Sequence, residues 1–130
     1  MSELTRDQIL GSTDQRIVAV EVPEWGGTVH VRTMTGRERD EWECSLIVDL
    51  EARTFEHRRD NLRSRLLVRV LCDATGKPLF TAADIAALGE KSGTALDRVY
   101  ATAATVNRLS RSDIEELEKN SAAGLSAGTG

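Results

Sequence analysis

Aromatic side chains are nearly missing from this 130-residue chain: two Trp, two Phe and one Tyr, 4% in all. A core built on aromatics is therefore excluded, and the single core that this length allows must be mainly aliphatic and alanine-rich. Lysine is also scarce, with three residues against fourteen arginines, and the net charge is −4. With a pI near 5.2, a general nucleic-acid binder is disfavoured, because binding phosphates needs a basic surface that releases their counterions. A GC-rich coding bias accounts for the arginine excess, and multi-donor contacts to a protein partner are the functional alternative. There are only two cysteines, Cys44 and Cys72, and they match no metal-ligand spacing. Each falls in a predicted helix among apolar neighbours, where a free thiol acts as a small hydrophobe, so a disulfide is not expected. No apolar run can span a bilayer, and the first residues lack a basic-then-apolar signal pattern. No membrane partner is expected, and the protein should be soluble in the cytoplasm of the cell that makes it.

Catalytic patterns are missing as well. No Gly-x-Gly-x-x-Gly occurs, and Gly76-Lys77-Pro78 lacks the leading glycine and following Ser/Thr of a phosphate loop. His30 reads as a strand residue facing solvent or a partner, and His57 sits in the charge run Glu56-His57-Arg58-Arg59. Neither has a zinc-ligand neighbour at the right spacing. The paired acids Glu41 with Glu43, and Asp113 with Glu115 and Glu116, lie on polar helix faces. Raising a carboxyl pKa for acid–base work needs burial that these positions do not offer. The expectation is no enzyme activity, no cofactor and no metal.

The most informative stretch runs from Arg16 to Glu43. Val18, Val20 and Val22 alternate with Ile17, Ala19 and Glu21, which predicts a strand over 16–22. Pro23-Glu24-Trp25-Gly26-Gly27 predicts a turn, with both glycines free to take positive φ. The return strand is Thr28 to Met34, with Val29 and Val31 on one face and His30 and Arg32 on the other. A two-stranded hairpin is marginal alone, so it must lie on helices or join strands of another chain. Thr35-Gly-Arg-Glu38 has the form of a capping box and opens a helix to about Leu50, striped by Trp42, Leu46 and Leu50. The charged residues 51–59 read as a loop or frayed helix.

A second helix is predicted over 60–72, with Leu62, Leu66 and Val70 as its stripe. Arg53, Arg58, Arg59, Arg63, Arg65 and Arg69 form the one positive region. It is read first as a wet helix face balanced by Glu51, Glu56 and Asp60, and second as a site for an acidic partner. Asp73 to Pro78 is a stop and turn, after which Leu79-Phe80 should tuck into the core. Thr81 to Asp84 opens a short helix carrying Ile85 and Leu88. A fourth helix over 94–109 carries Leu96, Val99, Tyr100, Ala103 and Val106 at helical spacing. An acidic turn or helix over 112–119 and a small-residue tail over 120–130 complete the chain. At the other end, 1–15 is polar, with one helical turn at 5–10.

The fold expected is α+β and mostly α-helical: an N-terminal β-hairpin, about four helices and a disordered C-terminal tail. The expected organisation is a flexible segment 1–15, one domain over 16–119 with the hairpin at 16–34 and helices at 35–119, and a disordered 120–130. The partner-binding candidates are Trp25, Trp42, Leu46, Leu62, Leu66, Val99 and Tyr100. Trp25 has two readings: folded over the core, or exposed as an interface anchor.

The run from Val22 to Gly27, then Val29-His-Val-Arg-Thr-Met-Thr-Gly-Arg-Glu-Arg-Asp40 and Trp42-Glu43, resembles the tail assembly chaperones of long-tailed, siphovirus-type bacteriophages and prophages. Leu66 to Phe80 and Asp84 to Leu88 continue the likeness, which covers about residues 14–119. The resemblance implies a protein made in the infected cell and absent from the finished virion. It implies binding to the helical tape measure protein, keeping it soluble until tail tube subunits assemble around it. It also implies a longer form, made by ribosomal frameshifting, whose extension recruits the tail tube protein. Such a chaperone needs shareable apolar helix faces and a sheet edge for self-association. The rival readings are a small structural head–tail connector or minor tail protein of the virion, and a host-directed regulator binding nucleic acid through Arg53 to Arg69.

Overall fold

The computed structural model describes residues 2–49, 54–57 and 60–109. The hairpin forms as its alternation predicts. β1 (Ile17–Val22) and β2 (Gly27–Arg32) pair antiparallel in an unbroken register from Ile17–Arg32 to Val22–Gly27. Val20 and Val22 are buried, Val18 is half-buried, and Ile17, Ala19 and Glu21 are exposed. Pro23–Trp25 make one 3-10 turn, closed by Gly26 at φ +72° with its amide on the Pro23 carbonyl at 3.0 Å. Positive φ is thus needed at Gly26 alone; Gly27 already belongs to β2, where the strand geometry keeps φ negative.

A third strand joins them, which corrects the helix predicted to run to Cys72. α3 is Leu62–Val70, and Leu71–Cys72 form β5. Leu71 turns to extended backbone (φ −68°, ψ 125°), and β5 pairs antiparallel with β2 through Val31–Leu71 and His30–Cys72. The apolar stripe of α3 is complete at Val70, and two further residues satisfy the open edge of β2 instead. The sheet order is β1-β2-β5.

α2 (Gly36–Ser45) starts where the capping box places it: the Thr35 hydroxyl accepts from the Glu38 amide, and Glu38 accepts from the Thr35 amide. It ends well short of the predicted Leu50. Ile47–Asp49 form β3, paired antiparallel with β4 (Thr54–His57). The loop or frayed helix expected over 51–59 therefore contains a strand, where β-branched and aromatic residues outweigh the charge pattern. Leu50 lies outside the described residues, as do the acidic turn or helix expected at 112–119 and the tail at 120–130.

α4 (Ile85–Gly89) follows a 3-10 turn over Ala82–Asp84 that is capped by Thr81. α5 (Gly93–Val106) buries Leu96, Val99 and Ala103 and half-buries Tyr100 and Val106, matching its predicted stripe. It lies across β1 and β2 and against α3, while α3 also touches α2 and α4. Val22, Val31, Leu66, Leu67, Val70, Leu71 and Val99 are fully or almost fully excluded from water at the centre of this arrangement. α1 (Arg6–Leu10) stands apart: its capping box, Thr5 with Gln8, is complete, yet no residue of it is buried.

Two smaller expectations are corrected. Leu79 is 54% exposed, so only Phe80 of that pair packs on the core, because the Leu79 amide is held out at the sheet edge by the Leu71 carbonyl. Cys44 is exposed on the polar side of α2 rather than packed, whereas Cys72 is buried. Both thiols are free, and burial pushes that of Cys72 up.

Candidate partner-binding surface

Beneath the hairpin lies a polar latch that the sequence did not disclose. Arg32, on the face of β2 opposite Val31, is only 7% exposed. Its guanidinium donates to both Glu38 carboxylate oxygens, at 2.8 and 2.5 Å, and to the carbonyls of Arg69 and Thr33, each at 3.1 Å. The turn after β5 folds over this same face. Its Gly76, at φ +93°, lies so close that a Cβ there would meet Ile17 Cδ1 at 3.1 Å. Asp73 organises the turn, accepting from the Thr75 amide and hydroxyl and from the Lys77 amide, and these bonds hold its carboxyl below the usual range.

Asn107, one residue past α5, completes the latch. Its amide group donates to the Arg32 carbonyl at 3.2 Å and to the Ala103 carbonyl at 2.9 Å, and it accepts from the Met34 amide at 2.7 Å. One cluster therefore fixes the exit of β2, the start of α2, the last turn of α3 and the end of α5. Burial alone would raise the Glu38 carboxyl, but Arg32 and the bonds to Thr35 outweigh it and hold it at about 2. The same ion pair raises the Arg32 pKa.

The arginine run on α3 is not the wet face first expected. Arg65 is 7% exposed, with its guanidinium on the Asp60 carbonyl at 2.9 Å and carboxylate at 2.8 Å. Arg69 is half-buried and donates to the Arg65 carbonyl; burial lowers its pKa. Only Arg63 stays at the surface, paired with Asp97 of α5. Arg53, Arg58 and Arg59 lie outside the described residues. Because α3 packs on α2, α4, α5 and β2, its positions turn inward where a two-sided helix would leave them wet.

The seven candidate residues fall into two groups. Leu66 and Val99 are fully buried and Trp42 is 8% exposed, so these three are packing positions in the free chain. The Trp42 indole N–H has no partner within the described residues. Trp25, Leu46 and Tyr100 are half-buried against the core, and Leu62 is 38% exposed. Trp25 thus folds down, and the adjacent Glu24 pairs with Arg98 of α5 at 2.7 Å and pins the turn there. Burial pushes the Tyr100 hydroxyl pKa up, against the opposing effect of Arg63. Leu62 edges a cleft of about 330 Å³ between the starts of α3 and α5, with Arg63, Lys91 and Leu96 among its walls.

The most exposed large apolar side chains lie elsewhere: Leu4 and Leu10, both more than two-thirds exposed, with Ile9. All three belong to α1 or its approach, within the otherwise polar segment 1–15. Their spacing across the Thr5–Gln8 capping box was the available signal.

Among the described residues no cluster of His, Cys, Asp and Glu could hold a metal ion, and no helix is long and apolar enough to cross a membrane. What is present is a helix-and-sheet frame with apolar residues, Leu4, Ile9, Leu10, Leu62 and Leu79 among them, left on its outside. The tail assembly chaperone of bacteriophage HK97 has a similar fold, at a TM-score of 0.54 and 23% identity, over 77% of this chain and 90% of that one. No curated protein sequence matches. The family profile described as phage tail assembly chaperone matches residues 11–120. That match takes in the hairpin, the polar latch and the four helices described after it, and the chain belongs to the phage tail assembly chaperone family.

Proposed function

We propose that this protein binds the tape measure protein of its phage, keeps it soluble and hands it to tail tube subunits. The observation that carries the reading is membership of the tail assembly chaperone family over residues 11–120. The exposed Leu4, Ile9, Leu10 and Leu62 fit it, since a surface that shields a sticky partner must itself offer apolar groups. A longer frameshifted form would carry the contact to the tail tube protein. The chaperone would act in the host cytoplasm and leave before the virion is complete.

In this reading Leu62, Leu46, Trp25 and Tyr100 contribute the accessible part of the binding surface. Trp42, Leu66 and Val99 support it from beneath. The test is co-expression with the tape measure protein encoded nearby, followed by a solubility assay and affinity pull-down. Soluble, co-purifying tape measure protein supports the proposal. A precipitate regardless of this chain, with the chain recovered in purified particles, would replace it with a structural role in the virion.

A further inference from the structure

α3 and α5 both begin at the cleft of about 330 Å³ that Leu62 edges. The first amides of a helix lack intrahelical partners and carry partial positive charge. At α3 the Asn61 side chain makes no cap bond; its Oδ1 lies against Gly89, where no Cβ would fit. Lys91 adds a full charge to the same wall, and it has no ion pair among the described residues. The acids flanking the wall are already engaged, Asp60 with Arg65 and Asp97 with Arg63, and Glu90 is exposed outside it. Leu96 forms an apolar floor, and Leu62 stands 38% exposed at the rim. The cleft is thus both electropositive and partly apolar.

The chain itself carries the complement. Asp113-Ile-Glu-Glu-Leu-Glu118 holds four carboxylates, two large apolar side chains and no cation, and no other acid occurs beyond Leu109. The family match runs through this segment to residue 120. Its point of departure is fixed. The Arg108 amide donates to the Thr105 carbonyl at 3.1 Å and the Leu109 amide to the Ala104 carbonyl at 2.6 Å, with Arg108 at φ +55°. This left-handed cap turns the chain off the axis of α5, and Leu109 is buried there. The 14 residues of α5 span about 21 Å. From Ser110 to Leu117 a chain can cover about 26 Å, enough to return to the start of α5.

We infer that the acidic run Asp113 to Glu118 docks in the cleft between α3 and α5 of its own chain. Leu117 sits beside Leu62, and the carboxylates of Glu115, Glu116 and Glu118 meet Lys91 and the open starts of the two helices. The contact stands without any client. Its consequence rests on the proposed function: Leu62 is covered in the free chain, and a client that uses it must displace the acidic run.

The test uses the full chain alone, with a nitroxide on Lys119→Cys in a Cys44→Ser background, read as broadening of single backbone amide signals. Cys72 is buried and stays unlabelled. Broadening is expected to be strongest at Leu62, Lys91 and Gly93. Lys91→Glu and Leu117→Ser should each weaken it at Leu62 roughly twofold or more, with circular dichroism unchanged. Broadening strongest at Thr33 and Met34, beside the Asn107 end of α5, overturns the inference. So does broadening at Leu62 that both variants leave unchanged. A signal that arises only between nitroxide-bearing chains and isotope-labelled copies lacking the nitroxide overturns it as well. Each of these failures leaves the client reading untouched, because no client is present.

Discussion

Arg32 shows how much a single buried cation can organise. Its four short bonds reach a carboxylate in the first turn of α2, a carbonyl at the end of α3 and the chain just beyond β2. Removing it leaves Glu38 largely enclosed without a counter-ion. Arg32→Ala should therefore cost roughly 3 kcal/mol in denaturant unfolding. Arg32→Lys should recover only part of this, because an ammonium cannot grip both carboxylate oxygens. The pair also sets an acid limit. Glu38 titrates near 2 when folded, against an ordinary 4.5. A depressed carboxyl contributes stability that is present above its unfolded pKa and lost as pH falls toward the folded one. Stability should thus decline between about pH 5 and pH 2, by at most about 3 kcal/mol from this group. Glu38→Gln should flatten that part of the pH profile while lowering stability at neutral pH. An unchanged slope in the variant would assign the acid sensitivity to other carboxylates.

At the scale of elements, the turn between β5 and the second 3-10 segment is the most constrained. Gly76 takes φ +93° and has Ile17 Cδ1 3.1 Å from where a Cβ would sit. Gly76→Ala should cost about 1–2 kcal/mol. Shortening Ile17 to Ala in the same chain should not restore the loss, because the backbone strain remains. A thermal melt of the single and double variants checks both statements. Elements whose signal is local were legible in the sequence. The hairpin follows from strict alternation around Pro23 and Gly26, the starts of α1 and α2 from their Thr-x-x-Gln and Thr-x-x-Glu boxes, and α5 from its unbroken apolar spacing. What escaped depended on distant partners. Leu71 and Cys72 continue an apolar helical stripe and become β5 only because β2 offers an edge. β3 falls where the apolar stripe of α2 continues toward Leu50, and β4 hides in a charged stretch. Arg32 and Arg65 look like surface cations until Glu38, the Arg69 carbonyl and Asp60 close around them. The candidate surface was legible in the same uneven way. Trp25, Leu62 and Tyr100 keep some access to solvent, whereas Leu66 and Val99 have none, and no periodicity tells a core stripe from a shared one.

For the whole molecule, folding and any capture by α1 should be separable, because Ile9 and Leu10 are exposed and lie outside the buried core. No residue of α1 is buried, so its fold contribution is small, yet Ile9 and Leu10 are 55% and 68% exposed. A five-residue helix is far shorter than water alone sustains, and the described residues bury none of its side chains. Ile9→Ser with Leu10→Ser should leave the unfolding free energy within about 0.5 kcal/mol of wild type. The same double variant should lower the yield of soluble tape measure protein on co-expression. Leu66→Ala sits at the other extreme: it opens a cavity in the centre of the core and should cost roughly 2–5 kcal/mol. Its effect on capture should follow the loss of folded protein and disappear when amounts of folded chain are matched. If the α1 variant is stable and captures its partner at the wild-type level, α1 is not the docking element, and Leu62 beside the α3–α5 cleft becomes the first position to substitute. If capture is lost while the fold is intact, the exposed leucines and isoleucine ahead of the hairpin are the part of this chaperone that meets its client.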